Sequence, residues 1–232
     1  MKVIKAQERY LTQFDWLKSY HSFSFGEHFH PENKGWGTLR VINEDYIAAG
    51  GFFDTHPHRD MEIVSYLVKG QLHHKDSAGN EYTIQAGDVQ RISAGSGIAH
   101  SEENRSKDEE THLMQLWIKP NIKHTKPDYA QISLNPDDKI NKLQLLASET
   151  ARDGSISIKQ DTDIYSSILE KDQALDLQIT KDKAWIQLIS GSILVNDSLL
   201  ETGDALALEA KQELKVKNLS NESHFLFFDI TT

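Results

Sequence analysis

Two short stretches of this 232-residue chain carry side chains whose type and spacing could grip a single ion. In GGFFDTHPHRDMEI, His56 and His58 stand two residues apart, and on an extended strand such residues project from the same face. Pro57 between them biases His56 toward extended backbone and cannot donate to a neighbouring strand, which suits a barrel wall or mouth. In AGSGIAHSEEN, His100 and Glu102 repeat the spacing directly after Ala94, Gly95, Ser96 and Gly97, small residues that let the backbone turn sharply. Three neutral imidazoles and one carboxylate suit iron, manganese, nickel, copper or zinc, and suit calcium or magnesium poorly. An octahedral ion with four protein ligands keeps two positions for substrate and oxygen, whereas a tetrahedral zinc would be nearly closed. The plainer alternative is four polar barrel residues bonded to one another, and the matched pairs weigh against it. A second pair, His28 and His30, reads as surface or structural.

Composition narrows the chemistry. The chain has no cysteine, so disulfides, thiolate metal sites and a Cys nucleophile are excluded, and any metal must be held by nitrogen and oxygen. A net charge of −10 and the absence of a Lys/Arg-rich run argue against direct nucleic-acid binding. The N-terminal MKVIKAQERYLTQFDW lacks the apolar core of a secretory signal, and no stretch approaches the roughly 20 apolar residues that cross a bilayer. A cytoplasmic protein without membrane partners is the expectation.

The elements that must position these residues read as strands. MEIVSYLV, EYTIQ, HLMQLWI, WIQLI, SILVN and HFLFFDI alternate and are bounded by Gly, Asn, Asp or Ser. Residues 159 to 175 are expected to hold irregular or short helical pieces. Lys119 to Lys139 holds three of the five prolines and reads as a connection, which places a domain cut near residue 138. LVKGQLHHKD followed by QAGDVQRI resembles LISGSILVND followed by ETGDALAL, so a strand, a Gly turn, a strand and a Gly-Asp turn occur twice. Ten of the eleven histidines precede residue 125, and only His224 follows. The expectation is an all-β chain of two tandem barrels, a metal-binding unit over 1–138 and a degenerate copy without ligands over 139–232.

Gly50, His56, His58, Glu62 and Gly70 look like the first cupin motif, and Gly87, Ser93, Gly95, His100 and Asn104 look like the second. Ser93 replaces the usual proline, and His100 falls two residues late. With those departures, THPHRDMEIVSYLVKG, SAGSGIAHSEEN and HLMQLWIKP are similar to the pirin family, and YHSFSFGEHF, LRVINED, HKDSAGNE and ARDGSISIKQD resemble its bacterial members linked to quercetin 2,3-dioxygenase activity. The resemblance implies a bicupin of two jelly-roll-like barrels, with one divalent metal, Fe(II) before Mn, Ni, Cu or Zn, on His56, His58, His100 and Glu102. It implies a flavonol-like substrate that binds the metal through a hydroxyl, Glu102 as ligand and base, and O2 opening the ring with loss of carbon monoxide. A carboxylate beside a dication is a weak base, so Glu102 would need to detach in part. Glu62 then stands outside the ligand set, in a supporting role or an ion pair with Arg59 or Arg91. Phe53, Met61, Gln115 and Trp117 are candidates for the substrate pocket or for core packing. His74 and His112 match histidines of pirin-like sequences and either support the ligands or are structural, as His21 and His73 are. His124 reads as exposed.

Two rival readings remain at this level. A pirin-type regulator would respond to metal or redox state and bind a protein partner without turnover. A sugar isomerase or metal-free storage barrel is the other, and no phosphate-binding Arg/Lys cluster supports it.

Overall fold

The computed structural model describes residues 1–232, and the alternating runs fold as twenty-two strands with three short 3-10 turns, an all-β chain. The first unit has a seven-stranded sheet ordered Asp128–Ser133, Asp88–Ser93, Glu62–Lys69, Thr111–Ile118, Leu39–Ile47, Leu17–His21 and Tyr10–Gln13. Opposite it lies a four-stranded sheet ordered Phe52–His58, Ile98–Glu103, Gln71–Asp76 and Glu81–Gln85. The second unit repeats this plan with one seven-stranded and one four-stranded sheet, built from Gln144–Ser148 onward with Lys2–Ile4 added at one edge.

The repeat read from the sequence is a repeat of turns. Gly70 and Gly191 link matching hairpins at φ +79° and +91°, and Gly87 and Gly203 open the following strands at +89° and +84°, a region glycine enters without strain. At Gly191 a Cβ would lie 2.4 Å from the Glu222 carbonyl, so the turn also needs the missing side chain.

Three placements differ from expectation. Residues 159 to 175 hold no helix: TDIYSSILE alternates and forms the strand Thr162–Glu170, and Asp172, at φ +63°, turns the chain into Ala174–Gln178. The Pro-bearing connection contains the strand Asp128–Ser133, whose alternating DYAQIS pairs antiparallel with Asp88–Ser93. The N-terminus crosses over, since Lys2–Ile4 pairs with Ala205–Glu209 of the second unit.

The two units pack their large sheets face to face. A cluster of 21 buried residues joins Val64, Tyr66, Met114 and Leu116 of the first to Trp185, Leu226 and Phe228 of the second. The barrel interiors differ sharply. The second is filled by 15 buried apolar residues, including Leu169, Ile186, Phe225 and Phe227. The first has only clusters of six and four such residues, and polar side chains occupy the rest. No helix is long and apolar enough to cross a membrane.

Candidate metal centre

The strand Ile98–Glu103 lies between Phe52–His58 and Gln71–Asp76, and its register brings the two histidine-bearing stretches together. His100 stands opposite His56, Ile98 opposite His58, and a bulge between His100 and Glu102 sets Glu102 opposite Phe53. Ile98, His100 and Glu102 face inward, as period two requires. Ring centroids of His56, His58 and His100 lie 4.5 to 4.9 Å apart, and their nitrogens fall within 4.8 Å of one another. His100, Glu102 and His74 form a second such triplet, with His100 Nδ1 4.0 Å from Glu102 Oε1. His100 is thus shared between both groups.

Unpartnered atoms mark where an ion fits. His100 Nε2 and Glu102 Oε1 are buried without any hydrogen-bond partner, a costly state for polar atoms unless a ligand completes them. The outward atoms are tied down. His56 Nδ1 donates to the Asp54 carbonyl at 2.7 Å, which leaves its Nε2 with a lone pair. Gln115 Nε2 donates to Glu102 Oε2 at 3.0 Å, and Trp117 Nε1 donates to Gln115 Oε1 at 3.2 Å. His74 Nδ1 lies 3.4 Å from His100 Nδ1 and His74 Nε2 lies 3.1 Å from Asp76 Oδ2.

The electrostatics agree with that donor set. Burial, then the neighbouring imidazoles, pushes His100 down to about 2, and burial followed by His56 pushes His58 down to about 4. Both rings are therefore neutral and carry lone pairs at neutral pH, the form that binds metal. Burial, with the Asp45 charge added, pushes Glu102 up to about 7. A cation among these residues would relieve that cost. The residues present fit a mononuclear divalent ion.

A cleft of about 620 Å³ opens beside the cluster and is walled by Phe14, Phe25, Phe53 and Trp117 as well as His56, His58, Glu102 and Gln115. Phe53 and Gln115 thus stand where a pocket role requires. Other candidates do not. Glu62 faces the seam between the units, where it accepts from Ser93 Oγ and the Lys159 backbone at 2.8 and 3.1 Å. It makes no ion pair, because Arg91 reaches Asp128 instead. Met61 packs among Ile63, Ile92, Ala94 and Ile98, away from the cleft. His112 bonds Glu44 at 2.9 Å and stacks on Tyr46, pointing out of the barrel. His124 is exposed and pairs with Asp60.

The far wall of the cleft went unread in the sequence. Ser19, His21, Asn43 and Asp45 line it, joined by Phe25 and His28 from the Phe25–His28 turn. His28, expected to be surface or structural, packs 5.8 Å from the His21 ring and 5.3 Å from Tyr10. A signal was present. LKSYH and VINED place Ser19, His21, Asn43 and Asp45 on the same inward face as Leu17, Val41 and Ile47, and polar side chains there mark a cavity.

Fold and site together define a bicupin with a candidate metal site in its first barrel. The comparisons give the family. The Pirin family model matches residues 4–118 and the Quercetinase C-terminal cupin domain model matches residues 145–230. The chain is 40% identical over 227 residues to a protein of Escherichia coli (strain K12) named quercetin 2,3-dioxygenase, covering 97% of this chain and 96% of that one. The crystal structure of bacterial pirin YhhW from Escherichia coli in complex with nickel(II) superposes with a TM-score of 0.92 at 40% identity, over 99% of this chain and 98% of that one. A quercetin 2,3-dioxygenase structure from Acinetobacter baumannii shares the fold at a TM-score of 0.80 and 22% identity, over 98% and 85% of the two chains. This chain belongs to the pirin family.

Proposed function

We propose that this protein is a metal-dependent dioxygenase of pirin type that opens the ring of flavonols such as quercetin, with His56, His58, His100 and Glu102 holding one Fe(II) ion. The observation that carries the reading is the cluster of three imidazoles, sharing His100 with a buried carboxylate, beside an aromatic-lined cleft. At about 620 Å³, the cleft falls in the range of roughly 300–1,000 Å³ usual for small-molecule sites. The name of the Escherichia coli relative points to the same substrate class. Iron stands first because reaction with O2 calls for a metal with accessible oxidation states, while manganese, nickel, copper and zinc fit the same donors.

When bound, the ion supplies Lewis acidity and redox reach beside the substrate. The chain's own residues do the rest. Phe25, Phe53 and Trp117 offer faces and edges for a planar ring system and exclude water from it. Gln115, held by Trp117, fixes the direction of the Glu102 carboxylate. The resemblance also makes Glu102 the base, with Gln115 donating to its Oε2. A regulatory role through a protein partner is the alternative, and a walled cleft beside the ligands favours a small molecule over a protein segment.

The test is direct. Protein loaded anaerobically with iron, one ion per chain by elemental analysis, is expected to consume quercetin when oxygen is admitted. His56→Ala is expected to lose at least about 100-fold in rate along with its metal. Flavonol loss no faster than with His56→Ala, in fully loaded protein, would overturn the reading.

A further inference from the structure

Asp45 is a carboxylate for which the ligand cluster has no use. It sits on the inward face of Leu39–Ile47, lines the cleft and is 3% exposed. One of its oxygens accepts from Ser19 Oγ, and the other has no hydrogen-bond partner in the protein. No Lys or Arg pairs with it, because Arg9 reaches Glu44 on the opposite face of the same strand. A carboxylate kept only for structure is normally tied by several donors. Asp45 has one neutral hydroxyl and an open cavity.

Glu102 is placed differently. Its Oε2 accepts from Gln115 and its Oε1 points toward the imidazoles, and a carboxylate that serves a dication is a weaker base than one that does not. Resting on the reading of the cleft as a flavonol site, we propose that Asp45, steadied by Ser19, is the base that takes the proton from the substrate hydroxyl destined for the metal. In that step the substrate O–H bond breaks and an O–H bond forms on Asp45. The electron pair stays on the substrate oxygen, which becomes the anionic donor. No further reactant is needed: after the ring opens, the proton passes from Asp45 to the anionic oxygen of the product, which returns Asp45 to its carboxylate form.

The surroundings tune such a base. Burial first, then the Glu44 charge, pushes Asp45 up to about 7, while the Ser19 bond and His112 pull the other way. Glu102 faces it across the cleft, and His21 lies on the neighbouring strand Leu17–His21. A base poised near neutrality is matched to an operating pH near 7.

The test uses iron-loaded full-length protein with two readouts. Anaerobic titration with quercetin at pH 8 follows the long-wavelength band of the deprotonated flavonol, and admission of oxygen follows turnover. Wild type is expected to show the band and a kcat/KM that rises with pH. Asp45→Asn is expected to keep its iron, lose the band and the rising limb, and turn over about 100-fold more slowly. Ser19→Ala removes a donor that favours the charged form, so its midpoint is expected to move to higher pH. An Asp45→Asn protein with wild-type band, rate within about 3-fold and the same pH limb overturns the proposal and leaves the oxygenase reading standing. A band that depends on Asp45 without any turnover supports the base and defeats the oxygenase. The absence of a band in wild type overturns the assignment of Asp45.

Discussion

His100 carries its ring proton on the side away from the cluster, and the reason lies two residues further out. Burial pushes the Asp76 carboxylate up, but bonds from Asn80, His74 and Ala78 outweigh it and hold Asp76 below the usual range, so it is an acceptor. His74 Nε2 must then donate to Asp76, and burial, outweighing that bond, keeps the His74 ring neutral. Its Nδ1 is left to accept from His100 Nδ1–H, which frees the lone pair of His100 Nε2 for an ion. This is the carboxylate and histidine backing that orients metal ligands generally. His74→Leu removes the relay while filling most of the volume, and it is expected to weaken metal binding by about 10 to 100-fold. Competition against a chelator of known affinity measures this. Unchanged affinity would show that packing alone orients His100.

At the scale of elements, the site depends on the loop that delivers Ile98–Glu103. Gly95 has φ +46°, and a Cβ there would meet the Thr125 carbonyl oxygen at 2.1 Å, an atom already bonded to the Ser96 N–H. Neither backbone can yield without losing that bond. Gly95→Ala is expected to cost about 2–4 kcal/mol and to lower metal occupancy, through a shift of His100 and Glu102. Gly79 also has positive φ, +95°, but nothing lies within 4 Å, so Gly79→Ala should cost only about 1–2 kcal/mol. Chemical denaturation of both variants with metal analysis separates the two effects, and equal costs would rule out the collision. Such local features were legible in sequence because period two and small-residue turns act over a few residues: the strands, the repeat and the same-face spacing of both candidate pairs followed from them. The wall formed by Ser19, His21, Asn43 and Asp45 was not read, since its meaning depends on which strands close the barrel opposite the cluster. Of the irregular or short helical pieces expected over 159 to 175, only irregular turns flank the strand Thr162–Glu170, because charged turn residues between two strands mimic a polar helix face.

At the scale of the molecule, the histidine left over in the second half belongs to the seam between the units. His224 on Glu222–Ile230 lies 2.9 Å from Ser166 Oγ and 3.3 Å from Tyr66 OH, and Tyr66 in turn accepts from Lys139 Nζ at 2.9 Å. Tyr66 belongs to the first unit and His224 to the second, so these bonds tie the large sheets together within their shared apolar core. The sequence marked His224 only as an exception to the clustering of histidines, because a contact 158 residues apart leaves no local trace. Burial first, then Lys139, pushes His224 down to about 3. Its unfolded value is about 6.5, so below that pH the unfolded chain binds a proton that the folded chain refuses. The contribution to stability is complete above about pH 6.5 and is lost as pH falls from there toward about 3. At pH 4.5 the loss amounts to roughly 2–3 kcal/mol for this one group. His224→Gln keeps polar atoms near Ser166 and Tyr66 but cannot titrate, so its stability should fall less between pH 7 and pH 4.5 than that of wild type, by about that amount. Urea unfolding of metal-free protein at the two pH values gives the difference directly, with the remaining carboxylates and histidines common to both chains. If wild type and His224→Gln lose equal stability over that interval, the seam is wet enough to admit the proton, and the two barrels are held by their apolar faces alone.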